Sequence, residues 1–189
     1  HVNLFINKYN LLFQKMFKYL NIKNGIFSVQ GMIYQNSFYP YDPGFRLQGE
    51  GQHVILKNLF KIDYLKMLIN LSLGKKFYNK NLSLINNVQL NNFYVCSLWV
   101  LLKKGTITKI KNLETILQNK NIFKIVQRLY LNDVVNNQMV GTEKQVFARL
   151  YIKSKSKNGL INLIDFIHKN LKIMDKNNNS LIIKYYRLS

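Results

Sequence analysis

Cysteine, proline and acidic side chains are scarce in this chain: among 189 residues there are one cysteine, two prolines and nine glycines, and eight acids stand against 28 lysines and arginines. A single cysteine excludes an intramolecular disulfide. Set in VCSLWVLL, Cys96 reads as a small buried hydrophobe and not as a nucleophile. Long hydrophobic runs are also missing, since Lys, Asn or Gln breaks every apolar stretch, and no charged-then-apolar leader opens the sequence. These features read as a soluble cytoplasmic protein with no membrane segment. What is present is a 48% hydrophobic content, enough for one globular domain or two small ones. The chain opens at His1, inside an apparent helix and without an initiator Met, so it is expected to be a piece of a longer protein.

A formal charge of +20 raises the question of a polyanionic partner. The lysines, however, are spread almost evenly among Asn, Ile and Tyr, with no run longer than the pairs Lys75-Lys76 and Lys103-Lys104. Such a mixture is what an AT-rich coding sequence places on solvent-facing positions, and a nucleic-acid partner is not the expectation. Aromatics interleaved with basic residues in FYNKN and KYYRLS keep a basic nucleic-acid-binding module as the rival reading.

Periodicity predicts a helix over 4–20 with Phe5, Tyr9, Leu12, Phe13, Met16 and Leu20 on its apolar face, ending at Asn24-Gly25. IFSVQGMIY (26–34) and SFYPYDPGFRL (37–47) follow as a hairpin turning at Asn36-Ser37. Asp63 caps a second helix with a stripe of Tyr64, Leu65, Leu68, Ile69 and Leu73, stopped by Gly74. Beyond a polar stretch at 75–92, strands are expected at 93–102, 106–110, 122–130 and 145–153. A short helix near 112–118, a longer one over 158–171 and a last strand in SLIIKYY complete the pattern. The fold class is α+β, divided into 1–76 (helix, hairpin, substrate loop, helix) and a β-rich part, 77–189, sharing one core.

PYDPGFRLQGEGQH (40–53) holds both prolines, three glycines and two of the eight acids. An acid on a strand with an arginine four residues later can serve a phosphate: the carboxylate holds a divalent cation and the guanidinium reaches phosphoryl or carboxylate oxygens. The plainer alternative is a tight turn in which Asp42 caps the backbone and Arg46 pairs with Glu50 at the surface.

GIFSVQGMIYQNSFYPYDPGFRL resembles the closing hairpin of the ATP-grasp enzymes, in which G-x-x-x-V-D/E on one strand and E-x-N-x-R on the next supply magnesium ligands. KIDYLKMLINLSLGKKF is similar to the following helix of that family. LLKKGTITKIKNLETI and VFARLYIKSKSKNGLINLIDFIHKNLKIMD are similar to the later segments of its biotin-carboxylase and carbamoyl-phosphate-synthase branch, and capsule-biosynthesis-type members share the Gln-and-Gly version of the hairpin. The resemblance covers most of the chain. It implies an ATP-grasp carboxy-terminal subdomain followed by a part similar to the biotin-carboxylase carboxy terminus, with ATP and Mg²⁺ as cofactors.

Carried over residue by residue, the resemblance makes Asp42 and Gln30 the metal ligands and Arg46 the catalytic residue facing the transferred phosphoryl group, the three together forming the cofactor-binding set. Gln30 stands where the first strand usually has an acid, and Gly44 where an asparagine ligand is usual. Gln48, Glu50, Gln52 and His53 fall in the family's glycine-rich substrate loop, with two readings open for His53, substrate contact or solvent-exposed bystander. His168 reads as a bystander on the polar side of its helix. The implied partners are ATP and an unidentified carboxylate substrate with a nitrogen nucleophile, and a homodimer is compatible with the family. The family's lid and adenine-binding hinge would lie upstream of His1, so this stretch alone is not expected to turn over ATP; a degenerate domain with a structural role is the third reading. GxxxxGK[ST], G-x-G-x-x-G after a strand, a Ser-His-Asp order, paired His or Cys ligands and HExxH are all lacking.

Overall fold

The computed structural model describes residues 5–77 and 93–183. The chain divides into two compact units, His1–Gln89 and Leu90–Ser189. Within the described residues the buried apolar side chains form two clusters, one in each unit. The sequence pattern predicts a division at 76/77 with a core common to both sides; the division lies at 89/90, and the described buried residues fall into two separate clusters.

The first unit opens with a π-helical turn, Phe5–Tyr9, running into α1, Asn10–Tyr19. The face that α1 uses differs from the periodicity reading: Leu12, Met16 and Leu20 are exposed, and the packed residues are Phe5, Tyr9, Phe13 and Phe17. A spacing of four overshoots a full α-turn, whereas in the wider π turn it falls short, so the opening turn keeps Phe5 and Tyr9 in line with the later rings. Asn21, at φ 53°, ends the run earlier than Asn24-Gly25.

The rings of α1 meet the hairpin of β1 (Ser28–Tyr34) and β2 (Ser37–Gly44). Phe38 lies edge-on to Phe5 and Tyr9 at 5.6 and 5.4 Å between centroids, while Phe17, Phe27 and Phe45 form a triad with centroids 4.9 to 5.5 Å apart. Edge-to-face rings at such separations add to simple burial. The Phe38 amide donates to the Tyr9 hydroxyl at 2.8 Å, a bond that lowers the Tyr9 pKa. The turn is Gln35-Asn36, one residue before the expected pair, with φ of 45° and 58°. Two successive positive φ values make it a type I′ turn, whose twist matches that of the strands.

The segment after the hairpin, expected to be a loop, contains α2 (Gln52–Phe60), which starts at Gly51 with φ 80°. Apolar Val54, Ile55, Leu56, Leu59 and Phe60 give this stretch its helix, hidden in the sequence by the glycines just before it. α3 (Tyr64–Ser72) begins as expected, the Asp63 carboxylate accepting from the Lys66 amide at 3.1 Å. Its buried residue is Met67, whereas Leu65, Ile69 and Leu73 are exposed, so the packed face is turned from the predicted stripe. Phe60, fully buried Ile62 and Met67 form the unit's core.

In the second unit β8 (Val146–Ser154) is the middle strand of an antiparallel sheet, between β3 (Tyr94–Leu101) and β6 (Ile122–Gln127). Val146 to Ile152 are all buried. The strand reads as a nearly unbroken apolar run because both of its edges are paired and both of its faces are covered. Two small pairs accompany it: β4 (Gly105–Thr106) with β7 (Val134–Val135), and β5 (Lys109–Lys111) with β9 (Lys172–Met174). β7 and β9 are too short to show a period. α4 (Leu113–Leu117) and α5 (Lys157–Asn170) lie where periodicity put them, α5 burying Leu163 and Ile167. The expected last strand reduces to bridges at Ser180 and Ile182 within the described residues. FYNKN beyond Phe77, and KYYRLS, lie outside them.

Candidate functional site

The hairpin carries the site residues. In its antiparallel register Gln30 lies directly opposite Asp42, which sets both side chains on one face. The next pair is Gly31 with Pro40, so Tyr41 is an extra residue in β2, a β-bulge. The Tyr41 hydroxyl donates to Gln30 Oε1 at 3.2 Å, placing the tyrosine ring on the Gln30 side. Gly31 is required here, because a Cβ would collide with the Phe38 ring and lie 2.7 Å from the Tyr39 carbonyl oxygen.

Arg46 folds back onto the strand it follows, its Nη2 lying 3.2 Å from Asp42 Oδ2. The surface pair with Glu50 considered from the sequence is replaced by this one, although the two acids lie equally far from Arg46 along the chain. Glu50 instead accepts from Gln52 Nε2 at 2.9 Å. Both members of the Asp42–Arg46 pair are about half exposed (45% and 55%), so the pair contributes at most ~1 kcal/mol.

The four residues assigned to a substrate loop are dispersed. Gln48 and Glu50 precede α2, while Gln52 and His53 belong to its first turn and are half-buried. His53 is therefore no fully exposed bystander: its Nδ1 is buried with no protein partner among the described residues. His168, expected on a polar face, is half-buried on α5, and burial lowers its pKa against the opposing pull of Asp165. Cys96 packs against the core of the second unit, where burial pushes its thiol pKa up, away from thiolate chemistry.

The metal-ligand question turns on donor chemistry. Gln30 and Asp42 offer an amide oxygen and a carboxylate on the same face, a set suited to a hard cation such as Mg²⁺, which binds through one or two carboxylates plus phosphate oxygens. Asp42 is its single charge and Arg46 offsets that charge, so the residues fit a metal that arrives with phosphate better than a bare ion. Among the described residues no group of three or more His, Cys, Asp or Glu could hold a metal by itself. No described helix is long and apolar enough to cross a membrane.

One charged cluster escaped the sequence reading. Arg149, 3% exposed in the middle of β8, stacks its guanidinium 3.9 Å from the Trp99 ring centre and donates to Glu143 at 3.0 Å, and Arg128 reaches the same carboxylate at 3.1 Å. Glu143 begins a short 3₁₀ turn, Glu143–Gln145, so the cluster fastens that turn to the sheet. An arginine inside the apolar run VFARLYI was the available signal.

No family model and no curated protein matches the chain. Solved structures do. Phosphoribosylglycinamide synthetase from Anaerococcus prevotii superposes with a TM-score of 0.67 at 16% identity, over 92% of this chain and 43% of that one. L-amino acid ligase from Bacillus licheniformis gives 0.68 at 15% identity, over 90% of this chain and 44% of that one. The chain thus spans less than half the length of either. The likeness is one of fold: mixed helices and antiparallel sheet, shared with part of each of those two enzymes.

Proposed function

We propose that the chain is the carboxy-terminal part of an ATP-grasp ligase that joins a carboxylate to a nitrogen nucleophile through an acyl phosphate, in a soluble cytoplasmic enzyme. The observation that carries the reading is the hairpin: Gln30 opposite Asp42 with Arg46 beside it, in a chain whose fold is shared with two enzymes named as a synthetase and a ligase. The assignment to a biotin-carboxylase-like and carbamoyl-phosphate-synthase-like branch, with a carboxy-terminal part of that kind, rests on the sequence resemblance.

In this mechanism the substrate carboxylate takes the terminal phosphoryl group of ATP, releasing ADP. The nitrogen then attacks the acyl carbon and phosphate leaves. Asp42 and Gln30 would hold Mg²⁺, which when bound neutralises phosphate charge. Arg46 would exchange Asp42 for the oxygens of the transferring group, and because the exposed pair contributes at most ~1 kcal/mol, that exchange costs little. Its planar fork then matches the charge spread over the phosphoryl oxygens in the transition state. Glu50, Gln52 and His53, at or near the start of α2, would contact the acceptor substrate.

Arg46→Lys in the complete ligase tests the assignment. The substitution keeps the charge and loses the fork, so kcat for ADP release is expected to fall about 10²-fold with the melting temperature unchanged. A near-normal kcat would return Arg46 to a surface ion pair.

A further inference from the structure

We infer that Tyr41 is a positioning residue for the cation site, an inference that rests on the proposed role of Gln30 and Asp42 as metal ligands. In a regular strand Tyr41 would face away from its neighbour Asp42. The bulge re-aims it, and its hydroxyl donates to Gln30 Oε1 at 3.2 Å while the ring stays 63% exposed beside the site. A tyrosine spending a bulge on an otherwise exposed ring calls for a reason, and Gln30 supplies one.

A glutamine differs from the more usual acid in having two unlike ends. Its oxygen can ligate a cation, whereas its NH₂ group, if swung into the same place, presents donors and repels it. A carboxylate needs no such selection. By donating to Oε1, Tyr41 holds the Gln30 side chain in the orientation that offers oxygen and leaves that oxygen's second lone pair for the metal; the bound cation, which an NH₂ end would repel, favours the same orientation. Asp42, the cross-strand partner, completes the pair of donors. Tyr41 thus compensates for the missing acid by orientation, without adding charge.

The test is Mn²⁺ binding to the full chain, followed by paramagnetic resonance of the free ion in the presence of ADP, for the wild type, Tyr41→Phe, Gln30→Glu, Asp42→Asn and the Tyr41→Phe/Gln30→Glu double variant. Tyr41→Phe keeps the ring and removes only the hydroxyl, and is expected to weaken Mn²⁺ binding about three- to ten-fold, the effect of one lost hydrogen bond. In the Gln30→Glu background the same substitution should have no effect, because a carboxylate presents oxygen either way. A merely structural tyrosine would weaken both backgrounds alike, and that result, or unchanged binding by Tyr41→Phe, overturns the inference while leaving the metal site standing if Asp42→Asn still weakens binding. Binding indifferent to Asp42→Asn overturns the metal site, and the inference with it. Thermal melts of each variant confirm that folding is intact.

Discussion

Asp63 shows how much one side chain does in a chain with few acids. Its carboxylate caps α3 through the Lys66 amide and pairs with Lys57 of α2 at 2.6 Å, so one residue joins two helices across a short connection. The hydrogen bond from Lys57 is the main cause holding its pKa below the ordinary carboxylate value, with the Lys66 amide adding to it and burial opposing. A folded value below the unfolded one stabilises the fold above the unfolded pKa, and this contribution is lost as pH falls through the folded value. Asp63→Ala should destabilise by about 1 kcal/mol, and Asp63→Asn, which retains a capping oxygen, by a few tenths. Melts from about pH 7 to about pH 3 should show the gap between wild type and Asp63→Asn closing on acidification. A constant gap would remove Lys57 from the explanation.

At the scale of elements, the hairpin is the piece that the site depends on, and its turn is imperfect for its type. Gln35 and Asn36 both sit at positive φ, where Asn and Gly are favoured and a longer side chain is not. Replacing the pair by Asn-Gly should therefore raise stability by about 0.5 to 1 kcal/mol and leave Mn²⁺ binding unchanged. A lower melting temperature would mean that the Gln35 side chain does something that the twist argument ignores. The hairpin's pairing was legible beforehand, since segments rich in β-branched and aromatic residues flanked a polar turn. The bulge was not. Nothing in the local sequence distinguishes a regular strand from one in which Tyr41 is skipped, because the choice depends on which cross-strand partner each residue meets. α2 was missed for a different reason: the glycines at 49 and 51 dominate the local signal and mask an apolar helix that starts just after them.

For the whole molecule, the two units differ sharply in what holds them. Among the described residues the second has seventeen buried residues in one cluster, from Leu98 to Leu181, around a central strand buried on both faces. The described core of the first is Phe60, Ile62 and Met67, with the aromatic rings of α1 and the hairpin only partly covered. Residues 90–189 expressed alone should fold and melt cooperatively, whereas residues 1–89 alone should melt broadly or not fold, because burial of apolar area is the main favourable term. A sharp transition for 1–89, or none for 90–189, would contradict that ranking.

What the sequence determined by itself was the class of each strongly periodic segment: the helix of 157–170, the longer strands of the second unit, the Asp63 cap, and the pairing of the two strands of the hairpin. These follow from local rules of period, capping and turn chemistry, which act within a few residues. Tertiary structure decided the rest. It chose the phenylalanine face of α1 over Leu12, Met16 and Leu20, gave Arg46 to Asp42 instead of Glu50, drew Tyr41 onto Gln30 and buried Arg149 beneath Trp99. In each case several faces or partners were equally available to the chain; except for Arg46, which had an acid four residues away on either side, the one adopted was set by residues further off in sequence that supplied rings to pack or groups to pair.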